Sequence, residues 1–461
     1  MKISLRTQLA YGIGQAPDTI TYCMFYVFFL WFLTDYAMIS PTVAGAISLL
    51  AVCWDAVTDP IIGYLTDRSK SKYGRRRPFM IASVIPLGVV VFMLFGPLDV
   101  GPAYYLAFAI LLWTFYTLYL IPYVSLGADL SPDYNQRTLV RMFNMIFGGF
   151  FMLLCLSGPM WVVDLSLNAG LDDRTGWAIS GAVFGGLLAI CGVISWNALR
   201  GKEIMVEQDD TEKIQGNLMT IIKEAFCIRA FRIILGMTFF AILGLVLAST
   251  IIVYLLNYNV QLSESEQAVY WIIYSLFYII MVPVISVLAN KVNKKRAFIF
   301  ANAVAAVSML LFFFIGIDSW TVLIAYSFFL VFAEVSFFTL YMAFAYDIAE
   351  IDEYKNGTRR EGFLVSIVSF MQKFGAAIGM FACGVLLDFV SYDAELVEQP
   401  TSVLTGISAI ATLSLVVFCV VGILIMLRYP VTKQKYDALV NAVQEKKEGK
   451  TVDESAFSDI L

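Results

Sequence analysis

Apolar residues in this chain are gathered into long runs instead of alternating with polar ones. Each run reaches or exceeds the ~20 residues a helix needs to cross a bilayer. Twelve such runs lie near 9–35, 42–66, 79–98, 102–127, 139–163, 177–199, 233–257, 268–289, 297–317, 320–346, 363–390 and 403–427. Several exceed the minimum, which predicts tilted helices or ends that extend past the lipid. The short alternating segments of an outer-membrane barrel do not occur in the sequence. The pattern predicts an all-α integral membrane protein.

Composition agrees: of 461 residues 60% are apolar and 15% charged, with a mean hydropathy of +0.78. A soluble chain carries about 25% charged residues, so a soluble enzyme or nucleic-acid binder is excluded. Of the 31 Lys and Arg residues, 29 fall in the two ends and in or at the edge of every second loop, Arg141 standing just inside the fifth run, leaving Arg174 in an opposite loop and Lys373 inside a span. That asymmetry predicts an even span count with both termini cytoplasmic. The other loops carry acids such as Asp35, Asp99, Asp172, Asp173, Glu264, Glu266, Asp393 and Glu395. The first apolar run is too long for a signal peptide and is expected to be retained. Seven cysteines sit at no metal-ligand spacing and read as small packing residues. With no histidine in the chain, an imidazole relay or histidine metal site is ruled out.

The polar stretch 200–232 divides the chain into a six-helix half over 1–199 and another over 233–428, with a cytoplasmic tail over 429–461. The halves echo each other in the basic loops after spans 2 and 8, and in Asp129 with Arg137 against Asp347 with Arg359 and Arg360. A same-direction repeat of six helices is the pattern of transporters that rock two halves about a central site. Gly63, Asp67, Arg68, Gly74, Arg75 and Arg76 resemble the signature loop of the major facilitator superfamily, and a gating role is expected of them. Gly449-Lys450-Thr451 imitates the end of a phosphate loop but lacks its first glycine, Gln444 standing there. A gradient, not ATP, is therefore the expected energy source.

Charges inside spans cost on the order of 2.5–3.5 kcal/mol each on insertion scales and mark function by default. Asp18, Asp55, Asp59, Glu334 and Lys373 are such residues. Asp55 and Asp59 lie one helical turn apart, with Cβ atoms about 6 Å from each other. Two bare carboxylates at that separation repel, so a proton, a small hard cation such as Na⁺, or the Lys373 ammonium must join them. Thr58 and Thr117 offer hydroxyls to the same place. Glu334 stands among apolar neighbours as a binder of substrate hydroxyls or a proton carrier, and Asp18 is expected to face substrate. Tyr22, Tyr26, Tyr116, Tyr119, Tyr123, Phe338 and Tyr341 recur at three-to-four spacing and offer flat faces to a sugar ring.

The chain resembles the glycoside-pentoside-hexuronide:cation symporters of the major facilitator superfamily over its whole length. The resemblance is carried by Ala10-Tyr-Gly-Ile-Gly14, Thr34-Asp35, Trp54-Asp55-Ala-Val-Thr-Asp59-Pro60, Ile121-Pro-Tyr-Val-Ser125, Asp133-Tyr-Asn-Gln-Arg137-Thr138, Asp347 through Tyr354, Arg359-Arg360-Glu361-Gly362 and Lys373. It implies a cation site at Asp55, Thr58, Asp59 and Thr117, with Lys373 close by. It also implies a sugar site drawn from helix 1 and from helices 4, 5, 10 and 11, where Gln372 precedes Lys373. The sugar site departs from the melibiose-transporting pattern. Its helix 4 acid falls on Leu120 and its tryptophan on Val124. Its helix 5 arginine falls on Asn144, with Arg141 a turn earlier as a substitute; its helix 1 acid lies opposite Thr19; and its helix 10 tryptophan falls on Phe338. The expected function is symport of a small sugar, glycoside or uronate with Na⁺ or H⁺ by alternating access. The protein would work as a monomer in the bacterial inner membrane, without cofactor or nucleic acid. Lysolipid transport, or sugar sensing without flux, are the alternatives.

Overall fold

The computed structural model describes residues 4–460 except 68, 70–75, 97–99, 131–133, 203–217, 358–359, 397, 448–453 and 455–456. The described residues are helical, with no strand among them. In chain order the helices are α1 (Leu5–Ile13), α2 (Ala16–Cys23), α3 (Leu30–Asp35), α4 (Pro41–Asp67), α5 (Arg77–Leu94), α6 (Pro102–Asp129), α7 (Tyr134–Asn168) and α8 (Asp173–Ala198). They continue with α9 (Leu218–Cys227), α10 (Arg229–Tyr254), α11 (Glu264–Val292), α12 (Lys294–Ile315), α13 (Trp320–Asn356), α14 (Glu361–Phe389), α15 (Thr401–Leu427) and α16 (Lys433–Lys447). Twelve segments are long and apolar enough to cross a membrane, the first of them Leu5–Asp35 built from α1, α2 and α3. They fall where the twelve apolar runs predict them.

The helices pack into two compact units that cut across chain order. One holds Met1–Glu207, Ser249–Leu276 and Met380–Ile407; the other holds Gln208–Ala248, Phe277–Gly379 and Ser408–Leu461.

In the first unit, α5 and α8 approach through a pair of glycines. A Cβ at Gly88 would lie 2.4 Å from the Gly185 carbonyl, and one at Gly185 would lie 2.3 Å from the Gly88 carbonyl. Small residues let backbones come close where lipid provides no hydrophobic drive for helix association. The C-terminal end of α8 is held by Arg77, whose guanidinium donates to the Trp196 carbonyl at 2.8 and 3.2 Å and stacks 4.7 Å from the Trp196 ring. A cation at a helix C-terminus satisfies orphan carbonyls and opposes the helix dipole. At the end of α3, the Asp35 carboxylate accepts from Tyr258 at 2.5 Å and Tyr392 at 2.8 Å, while Thr34 meets Tyr254 at 2.8 Å.

In the second unit, Lys294 pairs with Asp347 at 2.6 Å, tying the start of α12 to α13. Arg360 grips Asp352 through two nitrogens at 2.6 and 2.9 Å and reaches Glu224 of α9 at 2.6 Å. The hydrogen bond to Asp352 is the largest cause holding the Arg360 guanidinium above its ordinary range, so it stays charged at any accessible pH. Lys446 of α16 donates to the Tyr354 carbonyl at 2.7 Å, and the Tyr354 hydroxyl meets Glu454 at 2.8 Å, so the tail is docked on the end of α13.

Candidate functional site

Pro17 sets the geometry on the first span. It has no N–H, so the Ile13 carbonyl loses its helical donor, and α1 ends at Ile13 before α2 restarts at Ala16. Two carbonyls beside the break take hydroxyls from α6: Tyr119 donates to Gly14 at 2.8 Å and Tyr123 to Tyr11 at 2.6 Å. The Tyr11 and Tyr123 rings stack with centroids 4.5 Å apart. Both α6 tyrosines are 0% exposed. Tyr119 and Tyr123, expected at substrate, instead spend their hydroxyls on the backbone of α1.

From Tyr123 a hydrogen-bonded chain leads across three helices. Asn144 of α7, 4% exposed, donates from Nδ2 to the Tyr123 hydroxyl at 2.8 Å and to Gln15 Oε1 at 2.5 Å. Gln15 donates from Nε2 to Asp18 Oδ2 at 2.5 Å. The other Asp18 oxygen accepts from Tyr116 at 2.6 Å. Thr19 lies at the edge, 3.5 Å from Gln15 Nε2. Gln15, Asp18, Thr19 and Tyr22 are all half-buried. The structure therefore gathers Asp18, Thr19, Tyr116 and Asn144, and adds Gln15, which the sequence reading missed. Its only signal was its place one turn before an intramembrane acid, next to Gly14. Tyr22 packs against Tyr26 at 4.4 Å between centroids, and Tyr26 is buried edge-on to Trp113. Arg141, the expected substitute for a helix 5 arginine, is exposed.

The acid pair is carried by α4. Asp55 is 0% exposed, and its Oδ1 accepts from Thr117 of α6 at 2.6 Å. Thr58, also buried, turns its hydroxyl back to the Asp55 carbonyl at 3.0 Å and so serves the backbone. Asp59 is half-buried one turn on, followed by Pro60 inside the helix. Trp54 ties α4 to α6 through Thr114 at 2.8 Å. The donors gathered at Asp55 are oxygens, the set that suits a hard cation. Among the described residues no group of three or more Cys, Asp and Glu has the arrangement of a metal site.

In the second unit, Glu334, Phe338 and Tyr341 share one face of α13 at i, i+4 and i+7, and all three are half-buried. Tyr341 stacks on Phe337 at 4.9 Å and stands edge-on to Phe338 at 6.2 Å. Gln372 and Lys373 are half-buried on α14. Of the gating loop, Gly63 has open space where a Cβ would sit and Arg76 is buried just before α5. Arg68, Gly74 and Arg75, and the side chain of Asp67, lie outside the described residues.

A family model described as MFS/sugar transport protein matches residues 10–433. The chain is 26% identical over 460 residues to "Uncharacterized symporter YnaJ" of Bacillus subtilis, covering 96% of each. It is 23% identical to "Sodium-dependent lysophosphatidylcholine symporter 1-B" of Danio rerio, covering 100% of this chain and 93% of that one. In fold it matches a crystal structure of the nucleoside transporter NupG with a TM-score of 0.68, at 10% identity over 92% of this chain and 99% of the other. The twelve spans, the helical fold and the match over most of its length make this chain a multi-pass membrane transporter that belongs to the MFS/sugar transport family of the major facilitator superfamily.

Proposed function

We propose that this protein is a cation-coupled symporter of a small sugar or glycoside, working by alternating access with both termini cytoplasmic. The observation that carries the reading is the wholly buried Asp55 carboxylate, held by Thr117 on a helix that bears Asp59 one turn away. Charge in that place is stable only with a counter-ion, and a guest Na⁺ or proton makes solute movement depend on a gradient. Asp55, Asp59 and Thr117 are the assigned cation residues, and Lys373 is the assigned coupling residue. An inward-negative potential adds about 2.3 kcal/mol per translocated positive charge per 100 mV.

The test is uptake into proteoliposomes under an imposed Na⁺ or H⁺ gradient. Asp59→Cys is expected to abolish accumulation above equilibrium while leaving downhill exchange. Undiminished accumulation by that variant rejects the assignment. A second reading, transport of a lysolipid, draws on the similarity to the Danio rerio symporter and on the apolar residues Leu120 and Val124 in α6. Accumulation of lysophosphatidylcholine but of no sugar in the same vesicles would establish it.

A further inference from the structure

Where α5 begins and α8 ends, the first unit holds a cavity of about 350 Å³ lined by Arg77, Pro78, Ile81, Trp196 and Arg200. Two of these five side chains are guanidiniums, and none is an acid. Arg77 is 4% exposed and fixed in place, with two nitrogens on the Trp196 carbonyl and its plane against the Trp196 ring. Arg200 follows the last turn of α8 and is exposed, and no acid among the described residues pairs with it. The first turn of α5 carries no acid, so the helix dipole adds to the positive potential there. Membrane topology explains a basic side chain at the end of a span. It does not ask for a second, immobilised one in the wall of the same cavity.

Positive charge alone would suit a soluble phosphate ester as well as a lipid, and the remaining walls choose between them. Beside the guanidiniums the lining is apolar, made of Pro78, Ile81 and the Trp196 ring. From Ile81 the same face of α5 continues in four-residue steps through Ile85 and Val89, about 12 Å at 1.5 Å per residue. Ile85 and Val89 are both exposed.

We infer that this cavity is a headgroup site for an anionic phospholipid of the surrounding bilayer, its phosphodiester against Arg200 and Arg77 and an acyl chain along Ile81, Ile85 and Val89. Arg200 offers paired N–H groups to phosphate oxygens, and Arg77, already tied to Trp196, adds its charge. Basic pockets between spans hold such headgroups. A zwitterionic lipid brings its own cation to a wall that is already positive, so phosphatidylglycerol is favoured over phosphatidylcholine. The bound lipid joins the start of α5 to the end of α8, whatever solute the carrier moves.

The test is native mass spectrometry of the full chain, released from a neutral detergent that contains equal amounts of phosphatidylglycerol and phosphatidylcholine with matched acyl chains. The unsubstituted protein is expected to retain phosphatidylglycerol over phosphatidylcholine by about tenfold. Arg200→Gln is expected to lower that ratio about fivefold, the usual worth of one basic residue at an anionic membrane surface. Arg232→Gln, at an exposed basic residue near the start of α10, is expected to leave it unchanged. Equal retention of the two lipids by the unsubstituted protein overturns the inference. So does an equal loss in both variants, which would make the preference a property of the whole basic surface. Displacement of phosphatidylglycerol by millimolar glycerol phosphate overturns it as well, because the anion would then suffice without its chains. The comparison of lipids on the unsubstituted protein decides the matter even if the Arg200 variant does not fold.

Discussion

A missing N–H at Pro17 reaches three helices. It breaks the first span after Ile13, and beside that break the Tyr11 and Gly14 carbonyls take hydroxyls from α6, while Tyr123 also accepts from Asn144, which donates in turn to Gln15. The two tyrosines do the same thing to the backbone but different things to the site, and this gives a prediction with two readouts. Tyr119→Phe and Tyr123→Phe should each cost about 1 kcal/mol of stability, the usual worth of a hydrogen bond between membrane helices. Only Tyr123→Phe should also weaken substrate binding several-fold, because it frees Asn144 to turn and releases Gln15 from Asp18. Melting in detergent and binding by competition separate the two effects, and equal binding loss in both variants would contradict the chain of orientation. Spacing alone marks these tyrosines as candidates, since residues three and four apart share a helix face. It could not show that their hydroxyls are consumed, because the acceptors are backbone atoms exposed by a break on another helix. Asp18 and Asp55 were legible for the opposite reason: a carboxylate in a span is too costly to be incidental.

At the scale of the helix, apolar runs foretell where each span lies but not how it is joined to its neighbours. Gly88 and Gly185 look like ordinary glycines in apolar helices, yet each fills the space where the other helix's carbonyl comes nearest. Gly185→Val should force α5 and α8 apart and lower stability by about 1–3 kcal/mol, the usual cost of overpacking. A melting temperature unchanged in detergent would show that the helices are free to separate without penalty. The grip of Arg360 on Asp352 was likewise hidden, since a basic residue in a loop already has an explanation in membrane topology. Asp352 is 0% exposed, so Arg360→Met strands a buried acid. The expected loss is about 3–5 kcal/mol, while Arg360→Lys should recover part of it. Thermal unfolding of the two variants side by side checks the order.

At the scale of the molecule, span count and family were legible because hydrophobic length and charge asymmetry act on the whole chain at once. The division of packing was not, for a sequence repeat describes ancestry while compact units follow contacts. Ser249–Leu276 and Met380–Ile407 belong with Met1–Glu207, and the polar tie at the end of α3 helps to explain why. Tyr258 and Tyr392 converge on Asp35 Oδ1, and Thr34 meets Tyr254. Burial, followed by the nearby Asp35, holds the Tyr392 hydroxyl far above the ordinary phenol range, so it remains a donor at every physiological pH. If solute moves by alternating access, this tie must open once per cycle, and its strength sets how often the opened arrangement is visited. Removing both hydroxyls with Tyr258→Phe and Tyr392→Phe should cost the tied arrangement about 2 kcal/mol, at roughly 1 kcal/mol per bond. That corresponds to about a thirtyfold shift in population. Spin labels at Tyr36 and Glu395 should then show a longer-distance component that is minor in the unsubstituted protein. A distance distribution unchanged by the double substitution would mean that apolar packing holds these segments together, and that Asp35 is not what keeps them closed.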